Sequence, residues 1–269
     1  MLGSVQPASV TEEVHEHAGI GAFACIVIPC FNEAARLDRE ALIGLAADPS
    51  VRLLFVDDGS TDSTRDVLND LSSRSDSIEV LGLRQNRGKA EAVRQGMIRA
   101  LEGTAPLVGY YDADLATPPS ELVRLVAALM NHPGTEVVLG ARVAMLGRSI
   151  DRHAHRHYAG RLFATAASVA LGIGVYDTQC GAKVFRRSPA LVAATSAPFR
   201  SDWAFDVELL DRLLRGSTAA EPVPVSAFRE MPLEAWRDVA GSQMRWSASV
   251  AALLAVGRIG RDRRRAARR

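Results

Sequence analysis

Two acidic residues near the middle of the chain have the spacing of a metal-binding site. Asp112 and Asp114 flank Ala113, directly after the apolar run at residues 107–111. Two carboxylates this close repel each other, so a buried pair needs a cation. Carboxylate oxygens suit a hard divalent ion, and a diphosphate can supply its remaining oxygen ligands. A solvated acidic turn is the alternative, but the position behind a buried strand favours the metal site.

Polar residues follow three other apolar runs in the same way. They are Asn32 with Glu33, Asp57 with Asp58, and the segment Arg87, Gly88 and Lys89. A carboxylate at Asp57 or Asp58 can accept a hydrogen bond from a nucleotide base, although a turn and helix cap would explain the same residues. Arg87 and Lys89 can offset the charge of a diphosphate, and Gly88 permits close backbone approach.

The elements that must position these residues alternate between strand and helix. Short apolar runs predict strands at residues 25–28, 51–56, 78–83, 107–111, 137–139 and 182–185. Helical patterns occupy residues 34–47, 63–71, 89–101, 120–130, 158–171, 206–214 and 246–256. This alternation predicts an α/β fold with a mostly parallel central sheet flanked by helices. Ligands bind beyond the carboxyl ends of strands in such sheets, where all four polar clusters are expected.

These motifs, read in order, resemble family 2 glycosyltransferases with the Rossmann-like GT-A fold. The resemblance rests on residues 29–33, 57–62 and 112–114. Further segments resemble the branch that acts on polyprenyl phosphates, especially the dolichyl-phosphate glucosyltransferases. These segments are residues 86–89, 92–97, 177–181, 205–208, 236–238 and 241–242. The chain departs from that branch at Ala90-Glu91, Ala182 and Gln243, where two glycines, an aromatic residue and a lysine are common.

The resemblance implies a metal-dependent hexosyltransferase that uses a nucleotide sugar, with UDP and glucose favoured. Asp114 would bind Mg²⁺ or Mn²⁺, with Asp112 near the sugar, and Asp57 or Asp58 would contact the base. The donor site would comprise Pro29, Phe31, Asn32, Glu33, Asp57, Asp58, Arg87, Gly88, Lys89, Asp112 and Ala113. Asp206 and Glu208 are candidate acids on the acceptor side. Candidate acceptor-binding residues are Arg142, Arg156 and Gln179, although the arginines could also be surface residues.

The amino-acid composition is that of a globular protein. The chain has 269 residues, 48% of them hydrophobic and 23% charged, which excludes collagen-like and disordered classes. We expect a loose arm at residues 1–21, one GT-A domain at residues 22–246, and an apolar helix with an arginine-rich tail at residues 247–269. The absence of a signal peptide or a long apolar run predicts a cytoplasmic protein.

The carboxyl end is strongly basic. From Gly257 onward the sequence has seven arginines and one aspartate, against a net charge of +1 for the whole chain. Such an end can dock peripherally on an anionic membrane leaflet, or it can be a solvated tail. Few aromatic residues accompany the charge, so nucleic acid is not an expected partner. The sequence does not indicate an oligomeric state.

Three functions are compatible with these observations. The first is transfer of a sugar, favouring glucose from UDP-glucose over mannose from GDP-mannose, to a polyprenyl or dolichyl phosphate. The second is transfer to a hydroxyl acceptor by a soluble enzyme, which would need a general base. The third is a nucleotidyltransferase or a non-catalytic binding module; the intact pair Asp112 and Asp114 argues against a dead site.

Overall fold

The computed structural model describes residues 23–151, 154–239 and 246–266. The predicted arm at residues 1–21 therefore lies outside the described residues. The core is a seven-stranded sheet in the order β3-β2-β1-β4-β7-β5-β8, and a two-stranded sheet, β6-β9, accompanies it. The strands are β1 (Ala24–Cys30), β2 (Val51–Asp57), β3 (Ile78–Gly82), β4 (Leu107–Tyr111), β5 (Val137–Ala141), β6 (Ser149–Asp151), β7 (Ala182–Arg186), β8 (Phe228–Pro232) and β9 (Ala235–Arg237).

Helices connect the strands and cover both faces of the large sheet. They are α1 (Arg39–Ala46), α2 (Thr64–Ser73), α3 (Lys89–Glu102), α4 (Pro119–Asn131), α5 (Ala154–Leu171), α6 (Pro189–Ser196), α7 (Phe205–Arg215) and α8 (Trp246–Ala266). Two separate hydrophobic clusters, one on each face, surround the five inner strands, whose side chains are mostly buried. The edge strands β3 and β8 are more exposed. The predicted α/β architecture with a mostly parallel sheet is thus confirmed.

One strand of the large sheet runs against the others. Strand β7 pairs antiparallel with both β4 and β5, whereas β1, β2, β3 and β4 are mutually parallel. The beginning of β7, rather than its end, therefore lies beside the carboxyl end of β4. In the register, Ala182 is opposite Tyr111. This places the segment before β7 next to Asp112.

Some element boundaries differ from the sequence prediction. The first helix begins at Arg39 rather than at residue 34, because Asp38 caps it by accepting a hydrogen bond from the amide of Ala41. The amides of Glu33 and Ala34 instead donate to the side chain of Thr64, which holds this segment as a turn. Elements that the pattern missed are β6, α6, β8 and β9, which are short or carry mixed polarity.

The carboxyl-terminal helix is part of the folded body. Helix α8 continues to Ala266, through most of the arginine run that was predicted as a tail. Its Ala252, Val256 and Ile259 are buried in the same cluster as residues of α5 and α7. Within the parts of the chain that the structure describes, no helix combines the length and apolarity that crossing a bilayer requires.

A glycine in α3 allows this helix to pack tightly on the sheet. A methyl group at Gly96 would lie 2.3 Å from Val27 Cγ1 and 2.8 Å from Val56 Cγ2. We expect Gly96→Ala to destabilise the protein by about 1–3 kcal/mol, because the neighbouring core side chains must move. Urea unfolding measures this change.

The matched control is Gly44→Ala in α1, where an added methyl group meets no atom within 4 Å. Here we expect stabilisation by roughly 0.5–1 kcal/mol, because alanine favours the helical conformation more than glycine does. Equal effects of the two substitutions would contradict the packing that we describe for α3.

Candidate active site at the carboxyl edge of the sheet

The loops that follow β1, β2 and β3 are joined by side-chain hydrogen bonds. Asn32, whose φ is 54°, accepts a hydrogen bond from the amide of Thr61 through Oδ1 at 2.9 Å. The two carboxylate oxygens of Asp58 accept from the amides of Arg87 and Gly88, each at 2.8 Å. Three of the predicted polar clusters are thus brought together at one edge of the sheet.

The two aspartates of the predicted donor-site pair have different partners. Burial raises the pKa of Asp58, and its bonds to the backbone amides partly oppose this shift. Asp57 pairs with Arg65 at 2.7 Å and accepts from the amide of Ser60 at 3.0 Å. Asp57 therefore fixes the turn after β2, whereas Asp58 fixes the loop before α3.

Asp112 lies beside a lysine from the beginning of α3. The distance from Lys89 Nζ to Asp112 Oδ1 is 2.6 Å. The backbone amide of Asp112 donates to the carbonyl of Gly181 at 2.8 Å. A methyl group at Gly181 would lie only 2.1 Å from Asp112 Oδ2. The carboxylate of Asp112 therefore occupies the space that a side chain at Gly181, directly before β7, would fill.

Negative charge accumulates around Asp114. Burial and repulsion from Asp112 raise the pKa of Asp114, while Lys89 and Arg36 partly oppose this shift. The pKa of Glu33 is also raised, by burial first and in part by Asp114 and Asp112. Its Oε2 atom is buried and accepts no hydrogen bond from any described residue. The three carboxylates of Asp112, Asp114 and Glu33 thus outnumber the two nearby cations, Lys89 and Arg36. Such an excess of carboxylate oxygens fits a hard divalent ion.

The protein alone offers few ligands for such an ion. Among the described residues, no group of three or more His, Cys, Asp or Glu side chains is arranged to hold a metal. Asp114 Oδ1 already accepts from the amide of Ala116 at 3.1 Å. An ion here would take carboxylate oxygens from Asp114 and Asp112 and its other ligands from a bound diphosphate.

A buried lysine, which the sequence analysis did not select, neutralises Asp206. Lys183 is fully buried, and its Nζ atom lies 2.7 Å from Asp206 Oδ1 and 2.6 Å from the carbonyl oxygen of Cys180. The hydroxyl of Tyr110 also donates to Asp206 Oδ1. The sequence did contain a signal for this ion pair, because a lysine inside the apolar strand at residues 182–185 is buried and therefore requires a charged partner.

The predicted acceptor residues have partners inside the protein. Arg142 donates from Nε to Asp177 Oδ2 at 2.6 Å and from Nη2 to Asp177 Oδ1 at 2.9 Å. Burial disfavours the charge of Asp177, but the Arg142 guanidinium lowers its pKa to about 2. Gln179 donates from Nε2 to the carbonyl of Trp203 at 2.9 Å. The side chain of Arg156 lies outside what the structure describes.

The remaining predicted residues divide between the site and the scaffold. Glu208 is buried and accepts hydrogen bonds from the Arg200 amide and the Arg212 guanidinium, each at 2.8 Å, so its carboxylate is held by scaffold residues. Ala113 is buried between the two aspartates, Pro29 lies within β1 opposite Val56, and Phe31 follows that strand, half-buried. Their predicted contacts with a donor remain predictions.

The profile of the family described as "Glycosyl transferase family 2" matches residues 25–191, which include the carboxyl ends of β1, β2, β3 and β4. The chain belongs to glycosyltransferase family 2. A dolichyl-phosphate beta-glucosyltransferase of Saccharomyces cerevisiae is 29% identical over 244 residues, which cover 82% of this chain and 69% of that protein. A polyprenol monophosphomannose synthase of Mycolicibacterium smegmatis is 26% identical over 211 residues, covering 77% and 78%.

Solved structures support the fold of this family 2 glycosyltransferase. Glucosyl-3-phosphoglycerate synthase from Mycobacterium tuberculosis, in complex with Mn²⁺, UDP-glucose and phosphoglyceric acid, superposes with a TM-score of 0.65. The match covers 89% of this chain and 80% of that chain at 18% sequence identity. The predicted GT-A fold is confirmed.

The ion pair between Arg142 and Asp177 generates a pH-dependent prediction. We expect Asp177→Asn to cost about 3–5 kcal/mol at neutral pH, because it leaves a buried guanidinium unpaired. The folded-state pKa of Asp177 is about 2, below its ordinary value of 3.8, so the stabilisation exists above 3.8 and is lost as the pH falls towards 2. Urea unfolding should show the difference from the wild type shrinking over this interval. A difference that does not change with pH would contradict the ion pair.

Lys183 and Asp206 allow a double-mutant cycle. Lys183→Met should destabilise the protein by about 3–5 kcal/mol, because it leaves a buried carboxylate without its cation. Adding Asp206→Asn should restore part of this loss, and the coupling energy from urea unfolding measures the interaction. Strictly additive effects would show that the two side chains do not act as a pair.

Proposed function

We propose that this glycosyltransferase moves glucose from UDP-glucose to the phosphate of a polyprenyl or dolichyl phosphate. The observation that carries the proposal is the meeting of Asp112, Asp114 and Lys89 at the sheet edge, beside the loops fixed by Asp58. The relative from S. cerevisiae is a dolichyl-phosphate beta-glucosyltransferase, and the structural neighbour was solved with Mn²⁺ and UDP-glucose. The relative supports glucose transfer to a lipid phosphate, and the structural neighbour supports UDP-glucose as the donor with a divalent metal as the cofactor.

The residues present suit a single displacement at the sugar. An oxygen of the acceptor phosphate would attack the anomeric carbon, the bond from that carbon to the diphosphate would break, and UDP would leave. Inversion then gives a β-linked product from an α-linked donor. Mg²⁺ or Mn²⁺, held by Asp114 and Asp112, would neutralise negative charge that develops on the diphosphate. Lys89, paired with Asp112 at 2.6 Å, adds a fixed positive charge beside the departing group.

The environment of Asp206 favours a phosphate acceptor over a hydroxyl acceptor. A phosphate is already ionised near neutral pH and needs no general base, whereas a hydroxyl group does. Oδ1 of Asp206 accepts from both Lys183 and Tyr110, so this carboxylate is poorly suited to act as the general base that a hydroxyl acceptor requires. The loop after Arg142 also exposes Met145 and Leu146, which gives this end of β5 an apolar tip beside the proposed acceptor residues.

A peripheral position at a membrane surface follows from such an acceptor. A polyprenyl chain remains in the bilayer, so the enzyme must reach the phosphate at the surface. We propose that the protein acts there, on the cytoplasmic leaflet, without spanning the membrane. The basic carboxyl-terminal helix supports this proposal through its charge.

Substitution of Asp114 tests the proposed reaction. With labelled UDP-glucose, Mn²⁺ and a short-chain polyprenyl phosphate, we expect the wild type to produce an organic-soluble labelled sugar. Asp114→Asn should lower kcat by about 10²–10³-fold, because the charge on the leaving diphosphate is no longer compensated. Without metal, the same variant should be more stable by about 1 kcal/mol, because one buried negative charge has been removed.

Asp76→Asn, which changes an exposed aspartate, is the matched control and should leave both activity and stability unchanged.

The donor is tested by replacing UDP-glucose with GDP-mannose. Transfer only to water-soluble hydroxyl acceptors would favour the second candidate function, and release of pyrophosphate instead of UDP would indicate a nucleotidyltransferase. Full turnover by Asp114→Asn would refute the proposed role of this residue.

A further inference from the structure

Helices α5 and α8 present outward faces that remain exposed among the residues that the structure describes. On α5, Tyr158, Leu162 and Val169 recur at helical spacing; Leu162 is 65% exposed and Val169 is 69% exposed. On α8, Leu254 is 59% exposed and is followed on the same side by exposed arginines. We call this surface the α5–α8 face; its residues are Tyr158, Leu162, Val169, Leu254, Arg258, Arg261 and Arg265.

The two helices form one continuous outer layer. Their inward sides, including Phe163 and Ala167 of α5 and Val256 of α8, share one hydrophobic cluster. A methyl group at Gly260 would lie 3.1 Å from the backbone of Ala170, so the helices approach each other closely there. The exposed apolar residues of α5 and the exposed arginines of α8 are therefore carried by two helices that pack directly against each other.

We propose that the α5–α8 face docks on an anionic lipid bilayer. Exposed apolar residues on a helix bordered by arginines match the boundary between acyl chains and anionic headgroups. The one acidic residue described on these two helices, Asp262 of α8, pairs with Arg200 at 2.9 Å, so its negative charge is offset. Against a second copy of the chain, the same arginines would face one another in a symmetric pair and repel.

The position of α5 relative to the active site supports this assignment. Arg161, next to Leu162, donates to the carbonyl of Tyr176 at 3.1 Å and stacks over its ring. Tyr176 directly precedes Asp177, which holds Arg142 at the end of β5. A bilayer that contacts the exposed side of α5 would therefore lie next to the segment that we propose for acceptor binding. This inference rests on the proposed polyprenyl-phosphate acceptor.

Vesicle binding by the full-length protein tests the proposal. We expect cosedimentation with vesicles of phosphatidylcholine and phosphatidylglycerol, and little with phosphatidylcholine alone. The double variant Arg261→Gln/Arg265→Gln should weaken binding roughly 25-fold at low salt, since each basic residue near an anionic surface contributes about fivefold. Leu162→Ser/Val169→Ser should weaken it by at least about tenfold, because two exposed apolar side chains are lost.

Matched controls come from exposed residues elsewhere. Val192→Ser on α6, where the side chain is 51% exposed, and Arg229→Gln on β8 should bind vesicles like the wild type. Unchanged vesicle binding by both α5–α8 variants would overturn the proposal. So would a loss of self-association in light scattering without any loss of vesicle binding, since the face would then be a contact between copies.

An assay in detergent separates this proposal from the proposed function. With a short-chain polyprenyl phosphate in micelles, the α5–α8 variants should retain wild-type turnover and lose it only when the acceptor is embedded in vesicles. Equal turnover by the variants and the wild type on vesicles would refute the docking surface while leaving the function intact. Absence of turnover by the wild type in micelles would refute the function itself.

Discussion

The concentration of negative charge at the carboxyl edge of the sheet constrains this protein more than any other feature. Burial and the charges of Asp112 and Asp114 make Glu33 costly to ionise, and burial together with Asp112 does the same to Asp114, while Lys89 offsets only part of the cost at Asp114. A folded protein tolerates such a group when a ligand relieves it, at some cost in stability. A divalent ion together with a nucleotide diphosphate would provide that relief.

The surrounding scaffold keeps the remaining charges in fixed pairs. Asp58 accepts a hydrogen bond from the loop before α3. Asp177 forms an ion pair with Arg142, and Asp206 forms one with Lys183. Each of these carboxylates is buried, so its partner contributes to holding the fold as well as to shaping the site. The site is therefore preorganised around the Asp112–Asp114 pair. If α5 docks on a bilayer as we propose, the carboxyl edge of the sheet lies next to the membrane surface.

Much of the site could be predicted because parallel strands end at a common edge. The residues after β1, β2, β3 and β4 were selected from the sequence, and the structure joins them through Asn32, Asp58 and Lys89. The same rule could not find Gly181 or Lys183. Strand β7 runs antiparallel, so its beginning reaches this edge, and the direction of a single short strand is not encoded in its own apolar pattern.

The sequence by itself determined the α/β class, the buried strands and the acidic cluster, because continuous apolar runs and adjacent carboxylates are local properties. Only the tertiary structure decided which charges are paired, since Arg142 and Asp177 are 35 residues apart and Lys183 and Asp206 are 23 apart. It also decided that the arginine-rich end forms a helix packed on the body, with some of its arginines left exposed. Burial depends on contacts between distant segments, and a local pattern does not contain them.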